Sequence, residues 1–214
     1  MSAHWSFTLI LLMLLQSFSW SQVPTQLHLA VRPGSRISLN GTSTVHDYSA
    51  TSPEIIDTFV VDPRLLEKGK IMFTNLFRQV TISIPVKSLH SSDEDLDNNM
   101  YEALMADDYP SIRYRLTSDS IMPGATSDSL TIKTIGQLTV AGKEKTIDMI
   151  VTVRSAGDST FRIRGMKELL MTDFGITPPS MMMGLLKTDN KIVISFDLLT
   201  QPHNVTSQTQ QKGR

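Results

Sequence analysis

The chain has 214 residues, enough for one domain with a sizeable core or two very small ones. Its 20 Lys and Arg stand against 21 Asp and Glu, so charge gives no reason to expect nucleic acid or an anionic membrane surface as partner. Cysteine is absent, which excludes disulfides, thiolate metal sites, cysteine nucleophiles and lipid attachment through an N-terminal cysteine.

The first segment, MSAHWSFTLILLMLLQSFSWS, carries no Lys, Arg, Asp or Glu. Its apolar centre, Phe7 to Leu15, is short of the roughly 20 residues a membrane helix needs. Ser19 and Ser21 supply small residues at a cleavage site, so residues 1–21 are expected to be a secretory signal peptide cut before Gln22. Such a leader implies an exported protein, periplasmic or secreted, and soluble once cut.

Residues 22–200 are read as a single β-barrel domain. Leu27, Leu29 and Val31 alternate with His28, Ala30 and Arg32 before the Pro33-Gly34 turn. A second strand starts at Ile37 and is expected to end near the Asn40-Gly41 turn signal. Asp57 to Asp62 and VTISIPV (Val80 to Val86) read as a further pair, with Pro85 marking a strand end or an edge. In SSDEDLDNNMYEALMADDYP the signal changes: cap-forming Ser and Asp come first, and Leu96, Met100, Ala103 and Leu104 follow at helical spacing. One short amphipathic helix is expected over 93–105. Strands resume at Ile112–Leu116 and Leu130–Val140. A tight Ala141-Gly142-Lys143 turn leads to Lys145–Val153, and Phe161–Leu170 and Lys191–Leu199 complete the set. Seven to nine short strands joined by hairpin-length turns predict an all-β, antiparallel barrel or sandwich, and closure is the simplest way to leave no long edge exposed. The polar tail from Gln201 to Arg214 has no periodicity and is expected to be disordered.

Catalytic and metal chemistry find little footing. His46-Asp47 could serve acid–base work, but strand neighbours point to opposite faces. The competing reading has His46 bonding across the sheet and Asp47 capping a turn. An enzyme using His46 and Asp173 is the weakest of three functional classes. After the leader only His28, His46, His90 and His203 remain, none at HxH or HxxxH spacing. Met181, Met182 and Met183 offer soft thioethers, yet three adjacent residues of an extended strand cannot converge on one ion. No metal and no cofactor is expected.

Four segments together resemble the YceI-like family of secreted lipid-binding proteins: GTSTVHDY (Gly41–Tyr48), VTISIPVKSLHS (Val80–Ser91), MYEALMADDYPSIRYRL (Met100–Leu116) and LLMTDFGITPPSMMMG (Leu169–Gly184). The run GQLTVAGKEKTIDMIVTV (Gly136–Val153) fits the family's hairpin in position and character. The resemblance covers Leu27 to Leu199, and order and spacing make it specific. It implies a closed, lipocalin-like barrel enclosing a long apolar cavity for an isoprenoid chain or similar amphiphile. Two departures stand out: Tyr48 occupies a place often held by Trp, and Asn98, Asn99 and Met100 replace basic and histidine residues of the family's helix.

Within that frame the Met-rich stretch reads as a closing loop stiffened by Pro178 and Pro179, with Asp173-Phe174-Gly175 as the bend before it. The candidate ligand-binding set is Val45, His46 and Tyr48, the helix residues Leu96, Met100 and Leu104, then Tyr109, Phe174, Met181, Met182 and Met183. His46, Asp173, Arg113 and Arg115 are candidate polar groups at the mouth, with a solvent-facing strand face as the alternative for Arg113 and Arg115. The ligand expected is a lipid or isoprenoid of polyisoprenoid or fatty-acyl type, sequestered or carried in the cell envelope. The competing class is a filled barrel that touches another exported protein; the oligomeric state is left open.

Overall fold

The computed structural model describes residues 26–44, 46–62, 76–123, 129–157, 160–181 and 186–203. The proposed leader, Val45, Met182, Met183 and the tail beyond His203 lie outside them.

Eleven strands appear in chain order: β1 (Leu27–Val31), β2 (Arg36–Ser43), β3 (Asp47–Ser52), β4 (Ile56–Val61), β5 (Phe77–Pro85), β6 (Ser111–Ile121), β7 (Ser129–Val140), β8 (Lys143–Ser155), β9 (Phe161–Leu170), the two-residue β10 (Ser180–Met181) and β11 (Leu186–Pro202). Pairing runs β1-β4-β5-β6-β7-β8-β9-β11, antiparallel throughout, and β11 pairs back onto β1 to close a barrel of eight strands. The 17-residue β11 makes this possible. One edge pairs with β9 from Lys191 to Thr200; the other takes β2 along its first part and β1 at its end, where Val31 faces Thr200. β3 extends the hairpin of β2, and Thr51 bridges to His90 after β5.

Period-two patterning sets which side chains enter. In β7, Leu130, Ile132, Thr134, Gly136, Leu138 and Val140 are all buried, while Lys133 and Ile135 face out. The β7–β8 turn holds Ala141 and Gly142 at φ of +46° and +73°, the left-handed pair that matches the twist of a two-residue hairpin. Two apolar clusters occupy opposite ends of the barrel, since β7 gives Leu130 and Ile132 to one and Leu138 and Val140 to the other.

The helix, α1 (Glu94–Ala103), forms as its caps dictate. The Asp93 carboxylate accepts from the Asp95 and Leu96 amides at 2.9 and 3.2 Å, and Glu94, Asp95 and Asp97 favour the positive end of the helix dipole. It ends before the expected position because Met105 adopts φ of +50°, which turns the chain out of the helix. A short 3-10 helix, Val86–Ser88, ends β5, and a second, Met171–Phe174, ends β9 with Gly175 at φ of +71°. That second turn is the bend expected at Asp173-Phe174-Gly175.

One sequence reading is corrected here. Asn40-Gly41 does not turn: β2 runs through it to Ser43, and the reversal comes at Ser43–His46, where the Ser43 amide donates to the His46 carbonyl at 3.1 Å. Gly41 is there because the Tyr48 ring of β3 lies where its Cβ would stand.

Candidate functional site

Inside the barrel, between the two end clusters, lies an apolar cavity of about 110 Å³. Leu39, Ile82, Tyr114, Leu116, Met149 and Phe196 are among the residues that line it, all from inward positions of their strands. A 150 Å³ apolar cavity holds benzene, and drug-sized ligands take about 300 Å³ or more. The interior is therefore largely filled by its own side chains, as small barrels often are. A long chain enters only if wall residues change rotamer, and unbranched Met149 is the one built for that.

Aromatic rings laid over glycines of the neighbouring strand recur around the wall. Tyr48 covers Gly41, Tyr114 covers Gly136, and Phe196 covers Gly165; a Cβ at Gly136 would stand 2.5 Å from the Tyr114 ring. Each glycine removes a side chain so that a ring can lie flat against the sheet. The Tyr48 and Tyr114 hydroxyls are buried without a hydrogen-bond partner in the protein. Burial raises both phenols; Asp189 adds to it at Tyr48, while at Tyr114 the neighbouring Thr134 hydroxyl opposes it and Asp119 adds to it. Tyr114, like Ser38 and Thr134, thus presents a hydroxyl in a mostly apolar wall.

Lys167 is the one charged residue among those lining the cavity. Ile163, Gly165, Lys167 and Leu169 share the inner face of β9, and the lysine reaches out to Asp148, its Nζ donating to Oδ1 at 2.8 Å. That hydrogen bond holds the Asp148 carboxyl below its ordinary value. The sequence carries the signal for Lys167 as a break in alternation: FRIRGMKELL puts a lysine where an apolar residue is due.

The residues expected to bind ligand are distributed differently. Leu104 and Phe174 are buried at 6% and 2% exposure in the cluster that closes the α1 end, with Met100 packed against it. Leu96 is half-buried on α1. Tyr109 is 42% exposed, its ring lying over Gly142. His46 is exposed at the β2–β3 turn, where its amide donates to the Ser43 hydroxyl oxygen at 3.2 Å. Met181 pairs with Leu186 across the β10–β11 ladder, while Val45, Met182 and Met183 lie outside the described residues. Of this set none lines the cavity among the described residues, although Tyr48 stands on the inner face of β3. The α1 end is shut by the helix and the second 3-10 helix, through Leu104, Phe174 and Ile176.

The polar candidates at the mouth have structural partners. Asp173 accepts from Lys145 Nζ at 2.6 Å, and Arg113 and Arg115 are exposed on the outer face of β6, opposite Ile112 and Tyr114. On α1, Asp97 accepts from the Ser91 amide at 2.7 Å and meets His90 Nδ1 at 3.2 Å. Burial would raise this carboxyl, but the hydrogen bonds from Ser91 and His90 outweigh it and hold it low. Among the described residues no cluster of three or more His, Asp or Glu side chains is placed to hold a metal, and no helix is long and apolar enough to cross a membrane.

Comparison with solved structures finds the same barrel. BcnA of Burkholderia cenocepacia superposes with a TM-score of 0.62 at 18% identity, over 79% of this chain and 99% of that one. A polyisoprenoid binding domain from Saccharophagus degradans, implicated in plant cell wall breakdown, gives 0.59 at 9% identity over 83% and 99%. The YCEI protein of Campylobacter jejuni gives 0.54 at 14% identity over 71% and 82%. No curated protein matches the sequence. The profile of the YceI-like domain matches residues 32–199, from the first turn after β1 to the end of the β11–β9 ladder, and so the chain belongs to the YceI-like domain family.

Proposed function

We propose that the barrel binds a single-chain apolar amphiphile of polyisoprenoid or fatty-acyl type and shields it from water. The observation that carries this is the cavity itself: a largely apolar wall with few polar groups, chiefly the Tyr114 phenol and the Lys167 amine, in a fold whose Saccharophagus relative is a polyisoprenoid binding domain. Each methylene moved from water into such a wall contributes about 0.8 kcal/mol, so a chain gains affinity with few polar contacts. Binding rather than catalysis is the activity proposed. In this reading residues 1–21 export the protein, and it sequesters or carries its ligand in the periplasm or outside the cell.

A Leu116→Phe variant tests the site by filling the cavity. Affinity for farnesol or oleate, measured by calorimetry, is expected to fall at least tenfold while the β-sheet circular dichroism signal stays. Unchanged affinity in a folded variant would place the ligand elsewhere. The second reading, a filled barrel that meets another exported protein, draws on the small cavity volume and on the exposed Ile150 and Met166, which face each other across β8 and β9.

A further inference from the structure

The barrel wall is not hydrogen-bonded all the way round. The β8–β9 ladder runs from Ser155↔Phe161 to Ile150↔Met166 and stops there. Beyond it, Lys143–Met149 remains paired only with β7, and Lys167–Leu170 only with β11. What spans this seam is side chains: Lys167 to Asp148 at 2.8 Å, and Lys145 to Asp173 at 2.6 Å. Both ion pairs are partly exposed, and such pairs are cheap to open.

The seam also joins two spaces. On the outside, an open groove of about 740 Å³ runs across β8, β9 and β11. Met149, Lys167 and Phe196 line both this groove and the inner cavity. A second unpaired stretch, Phe77–Val80 of β5 against β6, is closed differently. There the buried Asp119 carboxylate accepts from the Leu76 amide at 2.7 Å, and Phe77 is buried beside it. No charged residue of that stretch lines the cavity.

Building on the amphiphile-binding reading, we propose that the β8–β9 seam is the doorway of the barrel, and that Lys167 anchors the anionic head group of the ligand there. The tail enters past Met149 and lies against Leu116 and Phe196. The carboxylate or phosphate head stays in the groove and takes the place of Asp148 on the Lys167 amine. Geometry favours an acid over a neutral lipid: the amine is rooted on the inner face, its tip reaches the outer one, and its partner, the Asp148 carboxylate, is more than half exposed. An anionic head gives that amine a hydrogen bond reinforced by opposite charge, whereas an alcohol oxygen accepts from it without the ion pair.

The test compares matched lipids by calorimetry: oleate with oleyl alcohol, and farnesyl phosphate with farnesol. The expected result is about tenfold or greater preference for each anion in the native protein. Lys167→Gln is expected to erase that preference while alcohol affinity stays within about twofold, and Lys167→Arg to keep it. The stronger of the two anions separates a carboxylate head from a phosphate. Equal affinity for acid and alcohol in the native protein, or a preference that survives Lys167→Gln, overturns the anchor and leaves the binding reading standing. Failure of all four lipids to bind overturns both. For the doorway, Met149→Cys provides the only thiol of the chain. Its reaction with a soluble maleimide is expected to slow at least fivefold when oleate is bound, and an unslowed reaction overturns that route.

Discussion

Single residues carry the polar exceptions of an apolar barrel. Tyr114 buries a hydroxyl that no protein group satisfies, and an unpaired buried donor costs about 1–3 kcal/mol. Tyr114→Phe is therefore expected to leave the thermal midpoint unchanged or raise it by a few degrees in the ligand-free protein, as calorimetry would show. A drop of several degrees would mean that the hydroxyl has a stabilising partner. Asp197 is the opposite case. Hydrogen bonds from Arg162 at 2.7 and 2.8 Å outweigh partial burial and, with Arg164 at 3.1 Å, hold its carboxyl at about 2. A folded value below the ordinary one stabilises the fold above pH ~4, and this contribution is lost as pH falls toward ~2. Because both arginines are about half exposed, it is on the order of 1 kcal/mol. Asp197→Asn is expected to lower urea stability by that amount at pH 7, with the gap closing near pH 2. A gap independent of pH would contradict the assignment. The sequence shows Lys167 as a lysine at an inward position, but the ligand set read from it misses that residue. The misses share a cause: His46 and the methionines stand out by residue type, and type alone does not place a side chain in the cavity. The cavity wall is mostly ordinary Leu, Ile and Val, which only closure of the sheet brings together.

At the scale of elements, local signals are read well where they are covalent or periodic. The α1 cap, the Ala141-Gly142 hairpin and the alternation of β7, β8 and β9 all follow from residue type and spacing. Asp93→Ala should cost ~1 kcal/mol in urea denaturation through the lost cap; no change would show that tertiary packing alone holds the helix. Asn40-Gly41 misleads because a glycine serves a neighbour here rather than a turn, and the neighbour, Tyr48, is known only once β2 and β3 pair. The strand β3 escapes the reading for a related reason: DYSATS has no apolar alternation, and it is held by its ladder to β2 and by the Ser52–Ser88 hydroxyl contact of 2.7 Å. Glycines under rings are the element-scale test. A methyl at Gly165 would meet the Phe196 ring and stand 3.2 Å from the Ile150 carbonyl. Gly165→Ala is expected to destabilise by about 1–3 kcal/mol through overpacking. A neutral result would show that Phe196 swings freely out of the wall.

For the whole molecule, the class of fold is legible because many short strands with no long exposed edge leave few architectures besides closure. The pairing of β11 with β1 that closes the barrel, and the division of one edge of β11 between β1 and β2, are not legible, since both depend on contacts between distant parts of the chain. The same holds for the cavity. Its volume of about 110 Å³ is a difference between the barrel's interior and the side chains that fill it, and no local pattern records such a difference. The central claim, that this interior opens to take an apolar chain, is tested most directly by native mass spectrometry of the protein purified from its own host. The predicted result is a species heavier than the bare chain by one isoprenoid or acyl amphiphile, released on denaturation and lost in Leu116→Phe. Bare protein alone, with no amphiphile in an organic extract of the same sample, would contradict it.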